Sequence, residues 1–218
     1  MGSEPDRCCF DDWAAGNAKR ARRKEITAGV TRDLVEALGP SRLGGRTVLD
    51  LGCGTGDLAL AALARGATRA MGVDLGPGAV EEARALARER SLEDRATFQV
   101  GDAAKFPLDR HDVVLLNRVL CCYPDIDTLL DNSLSAARFV YAFTAPPSAG
   151  LAGTCSQAQT RLANSWFRIR DDKFRGFRAH VHDLQAVDRR VREAGFRPVV
   201  EGRRRLVWHL AIYERAVR

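Results

Sequence analysis

The chain has 218 residues, 45% of them hydrophobic and 28% charged, which is enough for one well-buried globular domain with little left for a second. No apolar run approaches bilayer length and the opening MGSEPDRCCF lacks a secretion-signal core, so a membrane span is excluded and a cytoplasmic location is expected. The net charge of +6 and pI near 9.3 would favour a nucleic-acid partner, but only four of the 34 basic residues are lysine; such an arginine bias follows base composition as readily as function, which weakens the case for that partner without deciding it.

Residues 1–16 read as an arm with Phe10 and Trp13 as apolar anchors. A helix is expected over 17–38, where Ile26, Val30, Leu34 and Leu38 recur every four residues and residues 19–24 supply a basic, solvated face; Gly39-Pro40 ends it. Residues 48–51 (VLDL) read as a buried parallel strand that runs into glycines at 52, 54 and 56, and an Ala-rich helix follows over 57–65. Strand, glycine turn and helix in this order make the first unit of a nucleotide-binding α/β sheet. Further strands are expected at 69–74, 96–100, 111–117 and 138–144, with helices at 78–90 and 125–137 between them. Pro146-Pro147 then breaks the pattern. A helix over 151–169 places Leu151, Cys155, Leu162, Trp166 and Ile169 near one face, and residues 146–182 as a whole read as an inserted lid. Asp183 caps a last helix that Gly195 ends. Residues 197–201 and 207–214 finish as an antiparallel pair at the sheet edge.

The glycine turn could serve a dinucleotide, but that fingerprint requires glycine at position 57, which is Asp57 here. Asp50 at the strand end and Asp57 at the helix start would repel a pyrophosphate and suit a cation. Asp74 ends the second strand about 20 residues beyond the glycines, the spacing of a ribose-binding carboxylate, and Leu75 beside it would lie against an adenine face. Gly101-Asp102-Ala103 follows the third strand, and Asn117 ends the fourth. Three acids at successive strand ends, in register with the turn, point to one crevice.

The DLGCGTG stretch resembles the first motif of class I S-adenosylmethionine-dependent methyltransferases. The resemblance implies an α/β, Rossmann-like, doubly wound and mostly parallel sheet of seven strands, the last antiparallel, with helices on both faces and the whole chain as one domain. It also implies S-adenosyl-L-methionine as cofactor, held by Asp50, Gly52, Gly54, Gly56, Asp74, Leu75, Asp102, Ala103 and Asn117, with Asp102 accepting from the adenine amine. Phe10 and Trp13 with Tyr123-Pro124 resemble magnesium-protoporphyrin O-methyltransferases, but the arm Tyr and the His of those enzymes fall at Asn17 and Cys122. A related small-molecule O-methyltransferase is therefore expected, with an RNA or protein methyltransferase, or a cofactor-binding module without turnover, as alternatives.

The candidates for acid/base work are Tyr123, His180 and His182; the two histidines alternate within FRAHVHD and would share one face of a strand. The adjacent pairs Cys8-Cys9 and Cys121-Cys122 lack the CxxC spacing of zinc sites and read as free thiols without a metal.

Overall fold

The computed structural model describes residues 29–170, 176–205 and 207–215. Phe10, Trp13, the basic face at 19–24 and the Cys8-Cys9 pair lie outside the described residues.

Alternation along the strands builds two cores. In β1 (Thr47–Leu51), Val48 packs into one hydrophobic cluster while Leu49 and Leu51 pack into the other. The same split recurs in β4 (His111–Asn117), where Val113 and Leu115 oppose Val114 and Leu116, and in β5 (Ala137–Ala145), where Val140 and Ala142 oppose Tyr141 and Phe143. Successive side chains point to opposite faces, so runs that are apolar at every position must be covered on both sides. One face is covered by α1 (Val30–Leu43), α2 (Asp57–Ala64) and α3 (Pro77–Glu89), and the other by α4 (Ile126–Ala136) and α6 (Leu184–Glu193). Tyr141 is fully buried, and its hydroxyl is satisfied by Ser133 Oγ at 2.9 Å, so this polar group carries no desolvation cost.

The remaining strands are β2 (Arg69–Asp74), β3 (Ala96–Val100), β6 (Phe196–Arg204) and β7 (Trp208–Arg215). The seven lie in the order β3-β2-β1-β4-β5-β7-β6. The first five are parallel, and β7 is antiparallel to both of its neighbours. The expected Rossmann-like fold is the observed one. Strand order reverses between β1 and β4, and ligand crevices open beyond the strand ends at such a point.

Three local features differ from the expectations or add to them. Helix α1 does not stop at Gly39-Pro40: the backbone breaks at Gly39 (φ 59°, ψ 176°) and resumes for a last turn to Leu43, because proline fits the first position of a helical turn. Residues 17–28 of the expected helix lie outside the described residues. Second, α5 (Gly150–Ile169) turns its apolar stripe outward, leaving Leu151 89%, Leu162 74% and Ile169 79% exposed. Asn164 instead sets how the helix sits, donating to the Ala179 carbonyl (2.9 Å) and accepting from the Ala179 amide (2.8 Å). Third, His180 and His182 lie in no strand, since residues 177–183 have no regular structure.

Candidate active site

A cavity of about 920 Å³ opens beyond the strand ends at the β1–β4 switch point, walled on its far side by α5 and the 177–179 segment. On its β1 side the glycines at 52, 54 and 56 all hold positive φ (68°, 53° and 78°). A side chain at Gly52 would overlap Val119 across the switch point, whereas one at Gly54 would project into open space. Backbone at Gly54 is thus bare to whatever fills the cavity, and only glycine takes this conformation without strain.

Asp74 lines the cavity and fixes the turn: its Oδ2 accepts from the Gly54 amide and its Oδ1 from the Gly76 amide, each at 2.8 Å. Asp50 sits behind the turn with 1% exposure, and its Oδ2 has no hydrogen-bond partner. Burial drives the Asp50 carboxyl well above the ordinary carboxylate range, and the charges of Asp74 and Asp57 push it the same way. The Asp57 carboxyl is likewise raised by burial, opposed by Arg90 and Arg118. A wall with bare glycine backbone and excess buried acid fits a cationic adenosyl ligand and disfavours a pyrophosphate.

Leu75, Ala103, Asn117 and Tyr123 also border the cavity, whereas Asp50, Gly56 and Asp102 stand behind its wall. Asp102 Oδ1 accepts from the Tyr123 hydroxyl (2.9 Å) and the Ala104 amide (3.0 Å). Burial raises the Tyr123 phenol well above its usual value, and the Asp102 carboxylate adds to the shift. Both effects hold the proton on the Tyr123 hydroxyl, which donates to Asp102. Asn117 donates to Thr31 Oγ1 (2.9 Å) and accepts from Thr144 Oγ1 (2.7 Å), so its amide is held between two elements.

His180 and His182 do share a side, with rings stacked 5.7 Å apart at 22°, but neither borders the cavity. The His180 amide donates to the Cys121 carbonyl (2.8 Å), and His182 Nε2 donates to the Tyr123 carbonyl (2.9 Å). The pair straps the 177–182 segment to the 3₁₀ turn Leu120–Cys122.

That turn presents Cys121 and Cys122 to the cavity, their sulfurs 3.9 Å apart. The Cys122 thiol, hydrogen-bonding to Cys121, draws the latter below the ordinary thiol value, against the effect of burial. Among the described residues no group of three or more His, Cys, Asp or Glu side chains is placed to hold a metal.

Sequence reading missed the inner face of α5. Ser156, Gln159, Thr160, Ala163 and Phe167 turn toward the cavity, and their spacing is that of one helical face. Phe177 meets Phe167 edge-on at 5.4 Å, and Trp208 adds a wall from β7; no local sequence pattern announces either contact.

A family model described as "Methyltransferase domain" matches residues 43–185. Ribosomal protein L11 methyltransferases are similar over part of the chain: the protein of Pseudomonas paraeruginosa is 45% identical over 83 residues, 38% of this chain and 28% of that one, and that of Deinococcus radiodurans is 38% identical over 112 residues, 49% and 39% of the two chains. The chain thus spans well under half the length of these curated relatives. Magnesium protoporphyrin IX methyltransferase from Synechocystis, solved with bound S-adenosylhomocysteine, matches with TM-score 0.65 and 21% identity over 99% of this chain and 90% of that chain. An O-methyltransferase family 2 protein from Planctomyces limnophilus, in complex with apigenin, matches with TM-score 0.68 and 17% identity, covering 94% and 62%. With the matched family model spanning most of the chain and the glycine turn, strand-end acids and strand order in agreement, the chain belongs to the class I S-adenosylmethionine-dependent methyltransferases.

Proposed function

We propose that the protein transfers a methyl group from S-adenosylmethionine to a small molecule, on a carboxylate oxygen. The observation that carries this reading is the covered cavity of about 920 Å³, a volume suited to a cofactor and a compact acceptor and within the usual range for small-ligand sites. The cofactor supplies an electrophilic methyl on a sulfonium. Asp74 is assigned to the ribose hydroxyls, Leu75 and Ala103 to the adenine faces, and the bare backbone at Gly54 to close approach of the adenosyl group. Asp50 and Asp57 are assigned as carboxyl acceptors behind the glycine turn. Asp102, held by Tyr123, faces the adenine amine from behind the wall. Phe167, Phe177 and Trp208 exclude water from the acceptor side, and catalysis then rests on holding acceptor and methyl donor in attack geometry.

The lining residues favour an acceptor that arrives already ionised. Tyr123 retains its proton, the histidines stand off the wall, and the Cys121 thiol is drawn below its ordinary value by its contact with Cys122. A carboxylate needs no base, whereas a hydroxyl does.

Calorimetric titration with S-adenosylhomocysteine should show one site. Labelled methyl from S-adenosylmethionine should then appear on members of a panel of small carboxylic acids, and Cys121→Ala should leave that transfer intact. Transfer confined to phenols and abolished by Cys121→Ala would overturn the carboxylate assignment. Transfer to a ribosomal-protein preparation alone would overturn the small-molecule reading.

A further inference from the structure

Arg118 follows β4 directly and is the one cation among the described residues that line the cavity. Its φ is +63°, a left-handed conformation uncommon outside glycine. The surrounding structure imposes it: the Arg118 amide donates to Thr144 Oγ1 at 2.9 Å and to the Thr144 carbonyl at 3.2 Å, while its own carbonyl accepts from both Cys121 and Cys122. Strain held in place this way at a cavity wall is a feature of ligand-binding positions. Among the described residues no hydrogen bond or ion pair engages the guanidinium, although its charge is felt by Asp57 at the start of α2 and by Cys121. Buried acid at Asp50 and Asp57 thus stands behind the glycine turn, while Arg118 lines the cavity after β4.

We infer that Arg118 binds the carboxylate of the amino-acid tail of the cofactor, the acids at Asp50 and Asp57 facing its ammonium. The inference rests on the proposed cofactor reading. A zwitterionic tail matches this division of charge, and a planar fork suits a carboxylate better than a point charge does. The charge of Arg118 reaches Asp57, at the start of the helix that follows the glycine turn.

The test compares S-adenosylhomocysteine with 5′-methylthioadenosine, the same thioadenosine without the amino-acid tail, by calorimetry on the full chain. Arg118→Gly removes the guanidinium yet accepts the positive φ without strain, so the fold is retained; a thermal melt matching wild type checks this. Arg118→Gly should weaken S-adenosylhomocysteine roughly tenfold or more and leave methylthioadenosine within about twofold, with Arg118→Lys between the two. Equal losses for both ligands, or none for either, would overturn the assignment. Unchanged S-adenosylhomocysteine affinity with lost transfer to a carboxylic acid would give Arg118 to the acceptor instead, also overturning it. Wild type that binds neither ligand would refute the cofactor reading itself, a result separate from any effect of the substitution.

Discussion

The two sides of the crevice are held together over very different distances along the chain. On the β2 side, Asp74 reaches back 20 residues to Gly54 and forward two to Gly76, and Asp102 reaches forward two to Ala104. On the β4 side, Asn117 is pinned to Thr31 across 86 residues and to Thr144 across 27, and His182 reaches Tyr123 across 59. The first side is a local motif that any chain with this turn can form. The second exists only when the whole fold has closed. The glycine turn with its strand-end acids and the wall that carries Asn117, Arg118 and Tyr123 are thereby separately built halves of one crevice.

The largest effect that would sharpen this division is expected from Asp74→Ala. It strands two backbone amides and the proposed ribose contact, and should cost about 1–3 kcal/mol of S-adenosylhomocysteine affinity; affinity unchanged in a calorimetric titration removes Asp74 from the site. On the other side, Thr144→Val deletes the donor to Asn117 and one acceptor of the Arg118 amide within the buried core. A loss of about 1–2 kcal/mol in urea unfolding is expected, with a larger fall in affinity for S-adenosylhomocysteine than for 5′-methylthioadenosine, because Thr144 holds the Arg118 backbone. Equal falls would show that the halves are not separable.

Asp50→Asn should shift stability and binding in opposite directions. The folded-state value of Asp50 is raised, so the protonated carboxyl favours the fold, and that stability is lost as pH rises from the unfolded value near 4 through the folded one. The neutral amide removes this pH dependence and should raise the neutral-pH melting temperature, by about 1 kcal/mol or less in stability terms, while weakening S-adenosylhomocysteine. A lowered melting temperature would contradict the account of Asp50 as a strained buried acid.

The smallest effect is the pH response of the histidine strap. Burial, and then the charge of His182, lower the His180 value. A histidine depressed in the fold is protonated more readily in the unfolded chain, so its contribution is present above about pH 6.5 and is lost as pH falls below that value. The amide protection factor at His180, which takes out the intrinsic slowing of exchange at lower pH, should fall between pH 7.5 and 5.5 while those in β1 do not, and a uniform fall would show that the strap is not a separate unit.

The legibility of the molecule follows the same division. The boundaries of β2, β3 and β4, the Asp183 cap whose side chain accepts from the Gln185 amide, and the turn-lining Asp74 rest on pattern and short spacing, and all could be read in the sequence. The orientation of α5 could not. Its apolar stripe at Leu151, Leu162 and Ile169 invited burial, yet Asn164 holding Ala179 decides which face turns inward. The alternation of His180 and His182 placed both rings on one side, but which side depends on the Leu120–Cys122 turn, almost 60 residues earlier. Sequence pattern reports what a segment can bury; a polar contact made at long range decides what it does bury.

Strand β7 lies between β5 and β6, although it follows both in the chain. During vectorial synthesis β5 must therefore wait with an open border until residues 208–215 emerge, and β6 has no place in the sheet before then. The β6–β7 hairpin is local and can form at once, so it should dock onto the waiting five strands as a unit. Until that step Tyr141 and Phe143, which pack against β7 residues in the finished protein, stay open on that side, and ribosome-bound chains paused short of Trp208 are where aggregation would begin.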